Sequence, residues 1–287
     1  MRSSVSARLG WAFLLGFFAP ALALCLEEPE VSKPLYNTFS DEEEMAMGRA
    51  AAEEIEKTQP ILGDSVLTAY VNEIGQRVAK ASRRGELEYH FRVVNSRSVN
   101  AFSLPGGYVY VNRGLLEFVE SESELAGVLG HEIGHVVAYH SMNDVARRWL
   151  VDRIMYEGQK AGLLNDQQVH DMLKQYGGPI LLFVDRKFSR EEENEADLLG
   201  LYNTARAGWD PAGLVLFLRR LIRIGANRDL AELLMRRHPL PEDRVDALNA
   251  ELKLHLSSKG LTKNSAAFRN MQERLRTLPL PPPAKSE

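Results

Sequence analysis

The chain has 287 residues, with 35 lysines and arginines against 39 aspartates and glutamates, giving a net charge of −4 at pH 7. Such a mildly acidic chain is a poor candidate for nucleic-acid binding, which uses clustered lysines and arginines to neutralise phosphates. We therefore expect no nucleic-acid partner. Cys25 is the only cysteine, which excludes an intramolecular disulfide. The length allows one large core, or one core with helical additions.

The N-terminus, residues 1–23, is typical of a secretory signal peptide. A basic start is followed by an almost wholly apolar run at 11–23, which ends in a small-x-small cleavage sequence. This run is shorter than the roughly 20 residues that span a bilayer, which favours a signal peptide over a membrane anchor. Cys25 is a candidate for lipidation, but Leu24 before it is bulky where a small residue is expected. Export without lipidation is therefore the favoured interpretation.

The rest of the chain predicts one mainly helical α+β domain at 40–278, after an extended lead-in at 24–39 and before a disordered, proline-rich tail at 279–287. Capping boxes are predicted to begin helices after Ser40, Ser121 and Ser189. Alternating residues and a Pro-Gly-Gly turn predict a small, mostly antiparallel sheet from strands at 89–94, 99–104 and 108–111. The first helix, which follows Ser40, includes a stretch rich in strong helix formers at 45–55. Further helices are predicted at 64–81, 121–140, 143–184 (broken near 162 and 177–179), 189–208, 210–224, from beyond 241 to about 256, and 262–278.

The most informative pattern is His131-Glu132-Ile133-Gly134-His135. Residues four apart lie on one helix face, with β-carbons about 5–6 Å apart, so both imidazoles can reach one ion. Glu132 lies about 100° round the helix, where it can act as a base without being a ligand. The alternative is a charged helix face, but the flanking residues are largely apolar, and buried histidines need partners. The pattern predicts a zinc site with Glu132 as the catalytic base.

A catalytic zinc needs a third protein ligand and an open position. The metzincin spacing requires Gly at 138 and His at 141, whereas this chain has Ala138 and Ser141. The acidic helix start after Ser189 is the other source, although glutamates there can also form a solvated face. Spacing favours Glu193, which lies one turn before Asp197 and close to small residues that permit close helix packing. Asp197 could then accept a hydrogen bond from a ligand histidine and fix its tautomer.

At these two motifs the chain resembles the HtpX-, BepA- and Oma-like zinc metallopeptidases, a family that includes the CaaX prenyl proteases. Their HExxH helix and downstream Ser-Arg-x-x-Glu-x-x-Ala-Asp helix match 131–135 and 189–197. The resemblance covers about 40–256. It implies a zincin-like metallopeptidase domain with a small antiparallel sheet beside the HExxH helix, one zinc ion per chain and Glu193 as the third ligand. No membrane-spanning helix or C-terminal helical-repeat domain is expected, so a compact periplasmic form is implied.

Further candidates lie on either side of these motifs. Residues 98–111 are expected to supply an edge strand to which an extended peptide could add, although they could merely support the HExxH helix. His238 is expected near the metal, where it could hold the enzyme inactive until substrate displaces it. Arg244 could stabilise an oxyanion, or simply pair with an acid such as Asp243 or Asp246. The residues predicted for the edge strand are Asn100, Ala101, Phe102 and Ser103.

Two regions have less defined roles in the sequence. His140, five residues after His135, is predicted to face away from the metal and to interact with the last carbonyls of its helix. The apolar segment within 161–183 could be core, a lid over the cleft or a membrane-facing element.

These observations predict a zinc-dependent endopeptidase that acts on unfolded or misassembled cell-envelope proteins. The quality-control role rests on the resemblance and on the predicted export, and association with the outer membrane is a further expectation. The alternative is a non-catalytic periplasmic chaperone or binding module with a structural zinc. Glu132 favours the enzyme, because a structural zinc needs no general base and is usually closed by four ligands.

Overall fold

The structure is a computed structural model that describes residues 30–163, 165, 167, 187–224, 234, 237–239 and 242–281. The predicted signal peptide and Cys25 lie outside the described residues, as does most of the apolar segment 161–183.

The described residues form an α+β fold that is mainly helical, which confirms the predicted fold class. The elements in chain order are α1 Asp41–Thr58, α2 Ser65–Lys80, β1 His90–Val94, β2 Ala101–Leu104, a 3-10 turn Pro105–Gly107, β3 Tyr108–Asn112, α3 Arg113–Phe118, α4 Glu122–Val137, α5 His140–Lys160, α6 Arg190–Arg206, α7 Ala212–Ile224, α8 Glu242–His255 and α9 Ala266–Thr277.

Local hydrogen bonds confirm two of the three predicted capping boxes. Ser40 accepts from the Glu43 N–H while the Glu43 carboxylate accepts from the Ser40 N–H, and Ser189 and Glu192 repeat this exchange at the start of α6. Each box satisfies two backbone donors that a helix start leaves without partners. The predicted beginnings of α1 and α6 are confirmed.

The third predicted capping box, at the start of α4, is incomplete. Ser121 accepts from the Glu124 N–H, but the Glu124 carboxylate accepts from the Glu120 N–H instead of the Ser121 N–H. The helix therefore begins where it is predicted to begin, and the reciprocal half of the box is wrong.

The sheet has the strand order β1-β3-β2 and is mixed rather than mostly antiparallel. β2 and β3 form the predicted antiparallel hairpin around Gly106 and Gly107, which have φ values of 69° and 86° that favour glycine. β1 pairs with β3 in parallel, His90 facing Tyr108. The reason is that the chain reverses between β1 and β2, and β3 then inserts between them in the direction of β1. β2 therefore forms one edge of the sheet.

Helix α4 is the centre of the fold, and every one of its residues is buried. It packs against α2, α6, α7 and β2. Glycines allow α4 and α6 to pack closely. A β-carbon at Gly200 would lie 2.7 Å from the backbone nitrogen of His131, and one at Gly134 would lie 2.7 Å from the carbonyl oxygen of Ala196. This close approach brings the HExxH residues within reach of the acidic side chains of α6.

The Gly200→Ala substitution is expected to destabilise the protein because the new methyl group meets backbone atoms of α4, not a side chain that could move. Overpacking costs about 1–3 kcal/mol, which exceeds the roughly 1 kcal/mol that alanine usually contributes over glycine in a helix. The free energy of unfolding in urea measures the difference. Gly63→Ala is the matched control, since a β-carbon there meets nothing within 4 Å. Equal stability of the two variants would contradict close packing as the role of Gly200.

Two residues just after the predicted domain boundary at 278 are hydrogen-bonded to the domain. Arg113, which is buried, donates to the carbonyl of Pro279, and Arg97 donates to the carbonyl of Pro281. The first part of the predicted disordered tail is thus bonded to the domain, and 282–287 lie outside the described residues. The described part of the predicted lead-in, 30–39, contains neither helix nor strand. Among the described residues, no helix combines the length and apolar character needed to cross a membrane.

Candidate metal centre

Four buried side chains from three parts of the chain converge on one point. His131 and His135 lie one turn apart on α4, Glu193 lies in the first turn of α6, and His238 lies shortly before α8. One potential ligand atom from each lies within 4.8 Å of the others. The structure therefore brings together the three ligands predicted from the sequence, and places His238 beside them, where it is expected, as a fourth potential donor.

The separations between these donor atoms fit a tetrahedral zinc site. Zinc–nitrogen bonds of about 2.0–2.1 Å imply ligand atoms about 3.3–3.4 Å apart at the corners of a tetrahedron. His131 Nε2 lies 3.1 Å from His135 Nε2. Glu193 Oε1 lies 3.4 Å from His135 Nε2, and the other oxygen, Oε2, lies 3.7 Å from His131 Nε2. Two imidazoles and a carboxylate are also a donor set that zinc commonly uses. The residues present thus fit this metal.

His131 has the outer partner that the sequence predicts. Its Nδ1 lies 2.9 Å from Asp197 Oδ1, one turn after Glu193 on α6. A carboxylate at this position holds the proton on Nδ1, so that the lone pair of Nε2 faces the donor cluster. Burial opposes charge on His131, but the hydrogen bond to Asp197 and the charge of Glu193 raise its pKa above the ordinary value. Metal binding at this residue therefore competes with a proton.

Arg244 pairs with acids, as one of its two predicted roles requires, but these acids are Asp197 and Glu193. Its Nε and NH2 groups donate to the two oxygens of Asp197, each at 2.7 Å, and its NH1 group lies 2.6 Å from Glu193 Oε2. A pairing with Asp243 is wrong because that carboxylate bonds Arg190 instead, at 2.9 Å. Arg244 NH1 also donates to the main-chain carbonyl of Pro239, and a role for Arg244 at an oxyanion stays a prediction. It balances the acidic charge of the centre.

His135 has an outer partner that the sequence prediction missed. His140 is buried, and its Nδ1 lies 2.8 Å from His135 Nδ1, while its Nε2 lies 3.0 Å from Glu195 Oε2. The Phe188 ring stacks on the His135 ring, with centroids 3.8 Å apart. The prediction that His140 faces away from the metal side is wrong, because the chain turns sharply at Tyr139 instead of continuing the helix. No spacing rule within one helix could have indicated this contact.

The ionisation of the remaining donors suits a cation. Burial lowers the pKa of His135 well below its ordinary value, and the hydrogen bond to Glu193 does not reverse this shift. Burial alone would raise the pKa of Glu193, but the nearby His238 and His135 hold it well below its usual range. A neutral imidazole and an ionised carboxylate are the forms that bind metals.

Glu132 lies beside this cluster without belonging to it. Ser103 on β2 donates to Glu132 Oε2 at 3.1 Å, and the carboxylate is almost fully buried. His238 Nε2 lies 3.7 Å from the other oxygen, Oε1. An apolar cavity lined by α4 and α7 side chains, among them Val128, Leu214 and Leu218, adjoins Glu132 and His131. Of the predicted edge-strand residues, Ser103 is the one that touches the HExxH helix in this way.

A buried HExxH helix, packed against a second helix that carries an acidic donor, is the arrangement of a zincin-like metallopeptidase domain. The chain belongs to peptidase family M48, whose profile matches residues 65–252.

Relatives with known names share this domain. The chain is 29% identical over 264 residues to the beta-barrel assembly-enhancing protease of Escherichia coli strain K12, covering 87% of this chain and 52% of the relative. It is 30% identical over 223 residues to the mitochondrial metalloendopeptidase OMA1 of Schizosaccharomyces pombe, covering 76% and 63%. It is 25% identical over 217 residues to the metalloprotease YcaL of Escherichia coli, covering 72% and 79%. The chain thus spans about half the length of the assembly-enhancing protease.

Proposed function

We propose that this protein is a zinc-dependent metalloendopeptidase that binds one zinc ion through His131, His135 and Glu193. The observation that carries the proposal is the convergence of these three buried side chains, whose donor atoms lie 3.1–3.7 Å apart, close to the separations of zinc ligands. A zinc ion bound there would polarise a peptide carbonyl and lower the pKa of a water molecule to about 7.

Glu132 is the residue we assign to proton transfer. The hydrogen bond from Ser103 fixes Oε2, which leaves Oε1 as the atom that accepts a proton from the attacking water. The same carboxyl group can then donate that proton to the leaving amine, as a general base that becomes a general acid. Its low exposure keeps competing bulk water away from the carboxylate and strengthens its electrostatic interactions.

Cleavage of casein, an unfolded protein, by residues 24–287 tests the proposed activity. We expect one zinc per chain, loss of cleavage when a chelator removes the metal, and recovery when zinc is added back. Measuring zinc content alongside cleavage separates the metal from the chemistry. A chain that binds no zinc would overturn the proposal.

The proposed substrates are unfolded or misassembled proteins of the cell envelope, and the proposed location is the periplasm. The names of the Escherichia coli relatives and the leader predicted at 1–23 support both proposals. Association with the outer membrane follows from the same reasoning, and Cys25 is a less favoured lipid attachment site.

Strand β2 is the proposed binding edge for an extended substrate. The Asn112 N–H donates to the Asn100 carbonyl at 2.9 Å, which makes this pair a bonded one. Bonded and non-bonded pairs alternate along antiparallel strands, so the backbone groups of Ala101 and Ser103 point away from β3. They are the groups that a substrate strand would meet, directly beside Glu132. Arg237 lies over the Phe102 ring, 5.2 Å from its centroid, so the segment that carries His238 also borders this strand.

Methylation of substrate backbone nitrogens is expected to reveal this mode of binding. Because alternate residues of an added strand bond to its neighbour, N-methyl groups should lower kcat/KM at every second position of a peptide substrate. The measurement is kcat/KM across a series in which one nitrogen at a time is methylated, with the unmethylated peptide as control. A loss that is equal at all positions, or absent at all of them, would contradict strand addition.

His238 is proposed to be an inhibitory ligand of the metal centre. Its Nδ1 lies 3.3 Å from His131 Nε2 and 2.8 Å from Glu193 Oε1, so it fills the position that a catalytic zinc must leave open. A zinc closed by four protein ligands cannot activate water. We propose that His238 keeps the enzyme inactive until substrate displaces it.

The His238→Ala substitution is expected to raise casein cleavage several-fold and to weaken zinc binding, since it removes one donor while opening the site. Initial cleavage rates and the zinc dissociation constant are the two measurements. His255→Ala is the control, because His255 is exposed. If His238→Ala leaves both proteolysis and zinc affinity unchanged, the proposed inhibition by His238 is wrong.

A further inference from the structure

A series of hydrogen-bonded side chains leads from the buried His135 outward to the protein surface. His135 Nδ1 lies 2.8 Å from His140 Nδ1, and His140 Nε2 lies 3.0 Å from Glu195 Oε2. Both imidazoles are buried, with relative exposures of 1% and 2%, whereas the side chain of Glu195 is 38% exposed. The hydrogen-bonded series thus runs from the donor cluster to a carboxylate at the protein surface.

With both imidazoles neutral and Glu195 ionised, only one arrangement of protons allows both of these hydrogen bonds to form. Glu195, an acceptor when ionised, requires the proton of His140 on Nε2, which leaves His140 Nδ1 as an acceptor. His135 must then donate from its own Nδ1, so that its Nε2 carries a free lone pair. That lone pair faces the donor cluster, where His135 Nε2 lies 3.1 Å from His131 Nε2.

The backbone between α4 and α5 is built to bring His140 to this position. Tyr139 adopts left-handed angles, φ 56° and ψ 22°, and is the one non-glycine residue with positive φ in the part of the chain that the structure describes. Such a conformation is strained unless its surroundings hold it. The guanidinium of Arg84 lies over the Tyr139 ring, 4.1 Å from its centroid, and also donates to the Val136 carbonyl. These contacts hold the reversal that turns His140 back toward His135.

We propose that His140 and Glu195 are positioning residues for zinc: they fix the tautomer and the ring orientation of His135. This inference rests on the proposed zinc ligation by His135. It gives each ligand histidine its own support, since Asp197 acts on His131 and the pair of His140 and Glu195 acts on His135. Neither residue contacts the substrate or the reacting atoms, so the effect is on the affinity for the metal.

Direct zinc affinity, measured by competition with a chromophoric chelator, tests the proposal on residues 24–287. His140→Leu removes the acceptor and is expected to weaken zinc binding by about 10–100-fold, the usual effect of losing such an outer partner. His140→Asn places an amide oxygen where Nδ1 lies, so it should retain most of the affinity. Glu195→Ala should weaken binding less than His140→Leu. Glu191→Ala, which changes an exposed carboxylate on the same helix, is the control and should leave the affinity unchanged.

The tautomer provides a second readout that a merely structural role would not affect. Nitrogen-15 NMR of the zinc-loaded protein should show the proton of His140 on Nε2, and a proton on Nδ1 instead would overturn the proposal. Unchanged affinity in both His140→Leu and Glu195→Ala would also overturn it while leaving the zinc ligands in place. If His140→Leu does not fold, Glu195→Ala and the NMR signal decide. A wild-type chain that binds no zinc overturns the proposed function, and this inference with it.

Discussion

The Glu132→Gln substitution is expected to lower kcat for casein cleavage by about 10²- to 10⁴-fold, the range by which a positioned general base accelerates a reaction. Glutamine has the same shape, and its amide oxygen can still accept the hydrogen bond from Ser103, so the local packing is retained. Glu132 is not among the four potential metal donors. Zinc content should therefore stay at one ion per chain while proteolysis is lost.

Glu120→Gln is the matched control for this experiment, since its side chain lies just before α4 and is 76% exposed. It makes the same chemical change without approaching the centre, and should cleave casein at the wild-type rate. Cleavage by Glu132→Gln within tenfold of wild type would exclude Glu132 as the base. If wild type and Glu132→Gln both bind zinc and neither cleaves casein, the assay is repeated with His238→Ala. Cleavage by this variant would indicate an enzyme inhibited by His238, and no cleavage would indicate a non-catalytic binding module.

The parts of the fold that depend on neighbouring residues could be predicted from the sequence. The capping boxes at Ser40 and Ser189 join residues three apart, and both helix starts are where the sequence placed them. The parallel pairing of β1 with β3 could not be predicted, because it depends on which strand inserts between the other two. Helix α3, Arg113–Phe118, was also missed, since six residues are too few to show a helical period.

The candidate site divides in the same way. His131, His135 and Asp197 could be identified because each belongs to a motif with regular helical spacing, and the structure places them as the spacing predicts. The contacts of His140 and Arg244 could not, because both cross between elements that are distant along the chain or separated by a strained turn. His140 needs the left-handed Tyr139, and Arg244 reaches from α8 into α6. Such contacts are determined by tertiary packing alone.

The Arg244→Met substitution is expected to lower the free energy of unfolding by about 3–5 kcal/mol, because it leaves buried carboxylates without their cation. Asp197 and Glu193 have relative exposures of 1% and 0%, and the guanidinium of Arg244 bonds both. Methionine fills similar volume, so lost packing contributes little to the difference. The effect should be greatest in metal-free protein, since zinc would supply positive charge next to Glu193. Urea unfolding of the metal-free and zinc-loaded protein measures both values.

Arg190→Met is the matched control, because Arg190 also pairs with a carboxylate, that of Asp243 at 2.9 Å, but both side chains are more than half exposed. Exposed ion pairs contribute about 0.2–1 kcal/mol, since water and salt screen the charges. The two substitutions remove the same group, but Arg244 is buried and bonded to more than one acceptor, whereas Arg190 is exposed and pairs with Asp243. A large loss of unfolding free energy for Arg244→Met and a small one for Arg190→Met would establish that Arg244 stabilises the buried carboxylates of Asp197 and Glu193. Equal losses would mean that the carboxylates of α6 are stabilised by something other than Arg244.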